Sequence, residues 1–517
     1  MQAGHYARAE FALGHSLVRH PGQVQVLCAL AECRYLGRDM RQAQAYVRHA
    51  QAVLPADAGL DDTLYLSRML RATGENEAAN ELALGWLPRG IGPYQAAQLA
   101  NHLLQLDLIK QANTVFSRLL PSEMDDGALA ASGVAMLYAG DVTNARVRFV
   151  QAIARNPANA EAAMQLAMLD VPEGRDARVA QWQLLCRQPL DVTQRAQLQF
   201  ACYHECDAQG NHKSAFAALQ EANSLRRLRT PYNAALEDAL VDDYLKQLHQ
   251  LDFPRSVPAE ADKPCPVFIV GLPRTGTTLL EKALSGLGDV HAVGEHLIFR
   301  KGIETQLGSV FGSPFEIANT GFAQQLDYAV LGERYRAKTL TLSGDRRFYT
   351  DKQTFNFAYA GLIAKALPEA SIIHIRRNPM DACFSGYKQS FAVGAYPASY
   401  GLDSLASYYR NYARVMAFWR EALGDRMLEI RYEDLVLRHD ETLQQLKAYC
   451  RFGETPATSE RQPYRASTLS AAQVQKPIHA GNINAWAKYR EFLMPLREAL
   501  DTEYTAYMAA IEGVEIL

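Results

Sequence analysis

The chain has 517 residues, of which 48% are apolar and 21% are charged. This is the composition of a globular protein, and the length leaves room for about two to four domains, so a disordered tail or a fibre is excluded. Fifty-three basic residues stand against 56 acidic ones, which gives a formal net charge of −3. A nucleic-acid coat and a polybasic membrane surface are therefore excluded as well, and any basic site must be local.

The cysteines and the apolar runs indicate the compartment. The eight cysteines are too sparse for a disulfide scaffold and form no Cys-x-x-Cys pair. The first residues lack a basic segment followed by an apolar block, and the most concentrated apolar run, at 267–272, is far shorter than a bilayer span of ~20 residues. We therefore expect a cytoplasmic protein with neither a signal peptide nor a membrane span.

The first half of the sequence repeats with a period near 34 residues. Pro21, Pro55 and Pro157 are 34 and 102 residues apart, and Pro88 and Pro121 fall within two residues of the positions expected between them. Ahead of each proline lies a small residue followed four positions later by a larger apolar one: Ala9 and Leu13, Ala43 and Val47, Ala78 and Leu82, Ala112 and Phe116, and Ala145 and Phe149. Small residues let two helices approach closely, and proline ends the second helix of each pair.

This pattern resembles the tetratricopeptide repeat and predicts an all-α helical solenoid over residues 1–250. A generic alanine-rich helical bundle is the alternative. Within this region Cys202, His204 and Cys206 have the residue types of a metal site, but on a helix His204 would point away from the two cysteines. Core packing is the interpretation that we favour for them.

The composition changes after residue 250. Prolines at 254, 258, 264 and 266 predict a linker over 251–265. Short β-branched runs at 267–271, 291–293, 347–350, 371–376 and 427–432 then alternate with helical periods. This alternation predicts an α/β domain over 266–517, built on a mostly parallel sheet.

The first of these runs leads directly into a glycine-containing loop, from Gly271 to Thr278, and then into an amphipathic helix. A strand, a glycine turn and a helix N-terminus together offer backbone N–H groups to an anion. The spacing is that of a nucleotide-triphosphatase P-loop, but Thr277 occupies the position of its lysine. The loop is therefore better suited to a single phosphoryl group than to the β- and γ-phosphates of ATP.

The Pro-Arg-Thr-Gly-Thr-Thr segment resembles the 5′-phosphosulfate loop of the sulfotransferases that use 3′-phosphoadenosine 5′-phosphosulfate (PAPS), and the residues that follow resemble the tyrosylprotein sulfotransferase branch. Glu295 in a Gly-Glu pair lies 21 residues after Arg274, and Lys352 lies 25 residues before Arg377. Ser385 follows Arg377 by eight residues, as in the 3′-phosphate clamp of that family. Together with the repeats, the whole chain resembles a bacterial-type tetratricopeptide-repeat sulfotransferase.

The resemblance implies a role for each matching residue. Glu295 would take the proton of the acceptor hydroxyl, while Lys352 and Arg274 would stabilise the charge that develops on the leaving phosphate. It implies no metal. The residues implied to bind PAPS are Arg274, Thr275, Gly276, Thr277, Thr278, Arg377, Ser385, Tyr432 and Ser470.

The residues leave some of these roles open. His296 is an alternative base beside Glu295, and Arg376 is an alternative to Arg377 because neighbouring strand residues face opposite ways. The sequence also departs from the tyrosylprotein branch: Ile298 and Gln389 stand where that branch has arginine, and Ala485 where it has lysine. These departures affect acceptor and secondary donor contacts rather than the reaction.

We predict a PAPS-dependent sulfotransferase that yields 3′,5′-adenosine bisphosphate and acts first on a protein or peptide tyrosine. The repeat array would help to bind the acceptor or a partner protein. A carbohydrate or small-molecule hydroxyl is the alternative acceptor, and a P-loop kinase or a non-catalytic repeat scaffold is a more distant alternative. We expect no nucleic-acid partner, and the sequence leaves the oligomeric state open, a dimer included.

Overall fold

The computed structural model describes residues 2–19, 22–254, 264–287, 289–344, 346–392, 394–453 and 478–510. Helices occupy most of the first half. They are α1 Gln2–Arg19, α2 Val24–Leu36, α3 Met40–Ala52, α4 Leu60–Ala72, α5 Asn76–Leu84, α6 Pro93–Gln105, α7 Ile109–Phe116, α8 Asp126–Tyr138, α9 Val142–Arg155, α10 Ala160–Met168, α11 Arg175–Leu185, α12 Val192–Ala208, α13 His212–Arg229 and α14 Ala234–Leu248.

Local sequence signals set where these helices begin and end. The helices α3, α8, α9, α10, α12 and α13 each begin after an Asp or Asn whose side chain accepts a hydrogen bond from a backbone N–H of the first turn. Pro55, Pro88, Pro121 and Pro157 lie in the connections between successive helix pairs. Pro21 lies outside the described residues.

The predicted small-and-large pairs form the seams of the array. Ala43, Val47, Ala112, Phe116, Ala145 and Phe149 are all buried. A Cβ atom on Gly133 of α8 would lie 2.6 Å from the Phe149 ring of α9, so the two helices approach closely only because that residue is glycine. The pattern differs in α5, where Ala79 and Ala83 are the buried pair, and in α1, where Ala9 is exposed.

The second half contains one sheet with helices on both faces. Its strands are β1 Cys265–Val270, β2 Val290–His291, β3 Phe348–Asp351, β4 Ser371–Arg376 and β5 Met427–Arg431. Its helices are α15 Thr277–Ser285, α16 Ile298–Leu307, α17 Phe322–Gln325, α18 Tyr328–Thr339, α19 Ala360–Ala366, α20 Pro379–Tyr387, α21 Leu402–Leu423, α22 Tyr432–Leu437, α23 His439–Cys450, α24 Arg490–Ala499 and α25 Asp501–Ala509.

The described strands form a five-stranded parallel sheet in the order β2-β3-β1-β4-β5. The central strand β1 is buried along its whole length, as its unbroken apolar sequence requires. Phe268 and Val270 face the core shared with α10–α14, whereas Val267 and Ile269 face α15 and α23. The predicted order, an all-α array followed by an α/β part with a parallel sheet, is confirmed.

The two parts share a hydrophobic core. One buried cluster joins Tyr203, Leu219 and Tyr244 of the last array helices to Phe268 and Trp419 of the α/β part, while α2–α9 surround a second cluster. Polar contacts also cross between the two parts: the Gln44 amide donates to Thr305 Oγ1 at 3.1 Å. None of the helices in the described ranges is both long enough and apolar enough to cross a membrane. The boundaries proposed from sequence, 1–250, 251–265 and 266–517, remain predictions.

Candidate active site

A site residue predicted from the sequence lies just beyond the carboxyl end of each strand of the parallel sheet. Some of these residues follow the strand directly, and others lie in the loop after it. Arg274 lies in the loop after β1 and Glu295 in the segment after β2, while Lys352, Arg377 and Tyr432 directly follow β3, β4 and β5. In a parallel sheet these ends lie along one edge, which is where such folds bind ligands. The sheet therefore gathers residues that are far apart in the sequence.

The loop after β1 is shaped to receive an anion. Gly276 precedes α15 with φ 102°, and a Cβ atom on it would lie 2.4 Å from Cδ2 of Tyr432, so glycine is required there. The first backbone N–H groups of α15, at Thr277 and Thr278, have no partner within the helix and suit a negatively charged group. Thr275 is buried, and its hydroxyl donates to the Leu272 carbonyl at 2.8 Å rather than facing the cavity.

A cavity of about 310 Å³ lies beside this loop, lined in part by Arg274, Gly276, Thr277, Thr278, Arg377, Ser385 and Tyr432. Nε of Arg274 donates to Ser385 Oγ at 3.3 Å, and the Arg377 guanidinium lies 4.5 Å from the centre of the Tyr432 ring. Burial and the charge of Arg377 lower the pKa of Arg274 to about 10, against the opposing effects of Tyr432 and Glu295. Two guanidinium groups so close together, in a partly desolvated site, favour an anionic ligand.

The two neighbouring arginines at the end of β4 have different surroundings. Arg377 lines the cavity and donates from Nη1 to the Arg274 carbonyl at 3.1 Å. Arg376 instead forms an ion pair with Glu429 at 3.1 Å and lies over the ring of Tyr507. Of the two candidates for a phosphate ligand, only Arg377 is on the cavity wall.

Glu295 and Lys352 lie apart from this cavity wall but in contact with each other. Lys352 Nζ donates to Glu295 Oε1 at 2.7 Å, and the Lys352 side chain is fully buried while 41% of the Glu295 side chain is exposed. The Glu295 carboxylate is thus accessible to a substrate, and the Lys352 ammonium group that pairs with it lies in the interior. The alternative base, His296, is mostly buried, with its ring 3.6 Å from Asp351.

A buried carboxylate that sequence reasoning missed supports this pair. Glu281 of α15 accepts hydrogen bonds from the Gly294 N–H at 2.9 Å and from the Thr350 hydroxyl at 2.6 Å, and it lies 3.9 Å from Lys352 Nζ. It therefore connects α15, the turn that carries Glu295 and strand β3. In the sequence Glu281 is an ordinary polar position of an amphipathic helix, so no local signal marks it.

Sequence reasoning also missed a second group, Tyr203, His204, Asp207 and Lys388, all of which line the cavity. The first three come from α12 of the helical array. The packing interpretation is confirmed for Cys202 and Cys206 of the same helix, which are buried in the core, but it is wrong for His204, which is only half-buried because its side of α12 faces the cavity. The described ranges contain no group of three or more side chains arranged to hold a metal ion.

The C-terminal segment closes the cavity on another side. Asp381 of α20 accepts hydrogen bonds from the backbone N–H groups of Asn484 at 2.7 Å and Trp486 at 3.1 Å. Gln389 and Ala485, two of the departures from the tyrosylprotein pattern, line the cavity, whereas the third, Ile298, is buried at the start of α16. Ser470 lies outside the described residues.

The groups on the wall suit a phosphorylated ligand. Arg274, Arg377 and Lys388 bring three positive charges to the cavity, and Asp207 and Asp381 bring two negative ones. Asp381 accepts hydrogen bonds from backbone N–H groups and also lies 3.8 Å from Arg377 Nη2, so positive charge exceeds negative charge on the wall by one. Nε of Arg377 is buried and has no hydrogen-bond partner among the described residues, as expected of a donor that is completed by a ligand.

The α/β part of the chain matches a known family. Residues 266–455 match the model of the sulfotransferase family. The chain is also 24% identical over 410 residues to an uncharacterized protein of Aquifex aeolicus (strain VF5), in a match that covers 76% of this chain and 52% of that protein. The chain thus spans about half the length of this curated relative.

Several solved structures resemble parts of the chain at low overall similarity. The sulfotransferase domain from the curacin biosynthetic pathway is 17% identical, with a TM-score of 0.29, and the match covers 44% of this chain and 92% of that one. A sulfotransferase from Alicyclobacillus acidocaldarius is 17% identical, with a TM-score of 0.27 and coverages of 48% and 97%. The C-terminal part of a TPR repeat-containing protein from Cytophaga hutchinsonii is 16% identical, with a TM-score of 0.28 and coverages of 46% and 87%. The family match therefore locates the similarity to sulfotransferases in residues 266–455, which hold the parallel sheet.

Proposed function

We propose that this protein transfers a sulfuryl group from PAPS to an acceptor hydroxyl, and that the acceptor is a protein or peptide tyrosine. The observation that carries the proposal is the gathering of Arg274, Glu295, Lys352, Arg377 and Tyr432 at one edge of the parallel sheet. An in-line displacement needs a base for the nucleophile and cations for the leaving phosphate, and these residues supply both.

The cavity wall fits the donor. Arg377 has a fork of N–H donors and Ser385 has a hydroxyl, which together suit the 3′-phosphate that distinguishes PAPS from ATP. The backbone N–H groups of Thr277 and Thr278 and the side chain of Arg274 suit the 5′-phosphate. When bound, the donor supplies an electrophilic sulfur attached to a good leaving group.

The Glu295 and Lys352 pair fits the chemical step. Glu295 would accept the proton as the acceptor oxygen forms its bond to sulfur and the bond from sulfur to the bridging phosphate oxygen breaks. Lys352 and Arg274 would neutralise the negative charge that passes to the 5′-phosphate of the departing 3′,5′-adenosine bisphosphate. The 2.7 Å contact between Lys352 Nζ and Glu295 Oε1 holds the proposed base beside a cation before the acceptor arrives.

The helical array supports a peptide acceptor. Burial raises the pKa of Tyr138, at the end of α8, and the carboxylates of Glu161, Asp107 and Glu295 raise it further, so the exposed base lies within electrostatic reach of the array. A groove on the first helices of successive pairs has four side-chain amides among its lining residues, which are Gln25, Asp61, Leu64, Tyr65, Arg68, Gln98, Asn101, His102 and Gln105. Side-chain amides can pair with the main chain of an extended segment without regard to its sequence.

The burial of four of the eight cysteines as free thiols is consistent with a reducing compartment. Cys28, Cys202, Cys383 and Cys450 are buried free thiols, and burial is the largest cause that raises the pKa of each. Such thiols are unreactive packing residues rather than parts of a disulfide framework. We place the enzyme in the cytoplasm as part of the proposal.

The test is transfer of label from ³⁵S-labelled PAPS to tyrosine peptides, glycans and small-molecule hydroxyls. We expect labelled peptide with the wild type, a loss of about 10²- to 10⁴-fold in kcat for Glu295→Gln, and a loss of about 10²- to 10³-fold for Lys352→Met. Glu441→Gln and Lys447→Met are matched controls, since both residues are exposed on α23, and they should keep wild-type rates.

The outcomes separate the donor from the acceptor. No transfer to any hydroxyl, with no binding of 3′,5′-adenosine bisphosphate, would overturn the reaction as a whole. Transfer to glycan or small-molecule hydroxyls but not to peptide would overturn only the acceptor. Wild-type rates in both site variants would overturn the roles of Glu295 and Lys352.

A further inference from the structure

One cation on the cavity wall has no role in the proposed function as described so far. Lys388 caps the C-terminal end of α20, three residues after Ser385, so the two side chains lie on the same side of that helix. Its Nζ lies 4.9 Å from the centre of the Phe384 ring. Lys388 lines the cavity. Among the described residues, no hydrogen bond and no ion pair within 4 Å is found for its ammonium group.

The helical array forms the wall opposite Lys388. Tyr203, His204 and Asp207 of α12 line the same cavity. Asp207 is held by the Tyr489 hydroxyl, which donates to it at 2.5 Å. Burial, and then the charge of Lys388, lower the pKa of His204 to about 4, so His204 is neutral near pH 7 and adds no charge to this wall.

Lys388 is a cation in a largely desolvated site that it shares with two arginines and two aspartates. The groups that act on it, from α12, the loop after β1, the end of β4 and α20, are Asp207, Arg274, Arg377 and Asp381. Burial is the largest cause that lowers the pKa of Lys388 to about 8; Asp207 and Asp381 raise this pKa, and the charges of Arg274 and Arg377 lower it. An ammonium group kept in a desolvated site beside two guanidinium groups is stabilised when an anion binds there.

We propose that Lys388 is a ligand for the 3′-phosphate of the donor, together with Arg377 and Ser385, and that α12 of the helical array completes the wall of this subsite. The inference rests on the proposed function. Lys388 follows Ser385 by nearly one helical turn and lines the same cavity, so we assign it to the group that Ser385 and Arg377 are proposed to bind, the 3′-phosphate. It supplies the positive charge that Gln389, its neutral neighbour on the wall, cannot.

The test is isothermal titration calorimetry of the full chain with 3′,5′-adenosine bisphosphate and, separately, with 5′-AMP. We expect Lys388→Met to weaken binding of the bisphosphate by about 10- to 100-fold, because a charge-assisted hydrogen bond is lost, and to change binding of 5′-AMP by less than about twofold. Lys388→Arg should recover most of the loss, and Lys447→Met, at an exposed position, should bind both ligands as the wild type does.

A second measurement detects protonation of Lys388 when the ligand binds. A bound phosphate should raise the pKa of Lys388, so the wild type should take up a fraction of a proton on binding the bisphosphate at pH 8.5, measured as a dependence of the binding enthalpy on the buffer. Lys388→Met should lose that uptake. A residue that only shapes the cavity would not change it.

The outcomes distinguish this inference from the proposed function. If the wild type does not bind the bisphosphate, the proposed function fails. If the wild type binds it and Lys388→Met binds it equally well, only the assignment of Lys388 fails. An equal loss of bisphosphate and 5′-AMP in a variant that melts at the wild-type temperature overturns the selection for the 3′-phosphate.

Discussion

At the scale of single residues, one buried carboxylate, Glu281, connects three segments near the proposed base. It is buried, and its hydrogen bonds fix both the turn that carries Glu295 and the Thr350 side chain of β3. A buried carboxylate with two donors and a nearby lysine is costly to remove, because each partner is left without its acceptor. Glu281 is therefore a positioning residue for Glu295 and Lys352.

We expect Glu281→Ala to lower the free energy of unfolding by about 3 kcal/mol, which urea titration would measure. The same variant should lose about 10²-fold or more in kcat while its KM for the donor changes little, because the donor cavity does not include Glu281. Glu281→Gln keeps an acceptor oxygen and should recover part of the stability. Unchanged kcat in a folded Glu281→Ala protein would contradict this positioning role.

A second residue-scale prediction concerns acid stability. His102 of α6 is buried, and its Nε2 lies 2.8 Å from the Ser67 hydroxyl. Burial, followed by the charges of Arg68 and Arg71, lowers the pKa of His102 to about 4, below the ordinary value of 6.5. Between these two values the unfolded chain binds a proton that the folded protein does not, so the free energy of unfolding falls as the pH falls.

The variant His102→Gln removes the group that binds this proton in the unfolded chain. Its free energy of unfolding should fall less steeply between pH 6.5 and 4 than that of the wild type, by up to about 1.4 kcal/mol per pH unit. Urea unfolding at several pH values would measure the difference. His49→Gln, at an exposed position of α3, is the control, and an identical pH slope in all three proteins would refute the assignment.

At the scale of elements, the array depends on close approach between paired helices. Gly133 of α8 lies against Phe149 of α9, where a Cβ atom would be 2.6 Å from the ring. Gly127, in the first turn of α8, is exposed and has only the Asp125 carboxylate near its missing Cβ, at 3.5 Å. The two glycines therefore provide a matched comparison within one helix.

We expect Gly133→Ala to lower the free energy of unfolding by about 1–3 kcal/mol, because an overpacked seam must open. Gly127→Ala should be neutral or should raise it by up to about 1 kcal/mol, since alanine favours the helix more than glycine does. Urea titration of both variants checks the pair. Equal effects in the two variants would show that the spacing of α8 and α9 does not depend on Gly133.

At the scale of the whole molecule, the boundary between the buried clusters does not coincide with the proline-rich segment at 251–265. One cluster includes residues from both sides of that segment. Tyr203, Leu219 and Tyr244 of the array share one buried cluster with Phe268 and Trp419 of the α/β part. The helices from α10 to α14 thus cover a face of the α/β part, and α12 also lines the cavity beside the loop after β1. An α/β part separated at residue 250 would expose that face to water.

We predict that a chain of residues 160–517 folds and binds 3′,5′-adenosine bisphosphate, whereas a chain of residues 251–517 aggregates or fails to bind it. Circular dichroism, gel filtration and calorimetry would compare the two chains. A monomeric 251–517 chain with wild-type affinity would show that the array helices contribute neither to the core nor to the cavity.

The sequence predicts much of the fold because the signals are local. Prolines end helices, small residues mark close helix seams, and β-branched runs mark strands, so the helix pairs and all five strands are found within a few residues of their predicted positions. The loop residues and the strand-end residues follow from the same local patterns. The contact between Lys352 and Glu295 is a finding of the structure, and the roles of the two residues remain predictions.

Other features depend on contacts between distant segments. Alternation along β4 predicts that Arg376 and Arg377 face opposite ways, but only the packing of α20 and the loop after β1 decides that Arg377 lines the cavity. Lysine and aspartate are residue types common on protein surfaces, so nothing in the sequence distinguishes Lys388 or Asp207. The fold brings both residues, from α12 and the end of α20, to the wall of one cavity. Glu281 gains its role because α15 lies beside the ends of β2 and β3.

The sequence alone thus determined the order of the two architectures, the anion-binding loop and the residue types near the sheet edge, since each depends on a few neighbouring residues. The tertiary structure alone decided the strand order, the shared core and the position of α12 of the helical array on the wall of the cavity beside the loop after β1. These depend on which apolar faces are buried against each other, and burial of a face is a property of the whole chain rather than of any one segment.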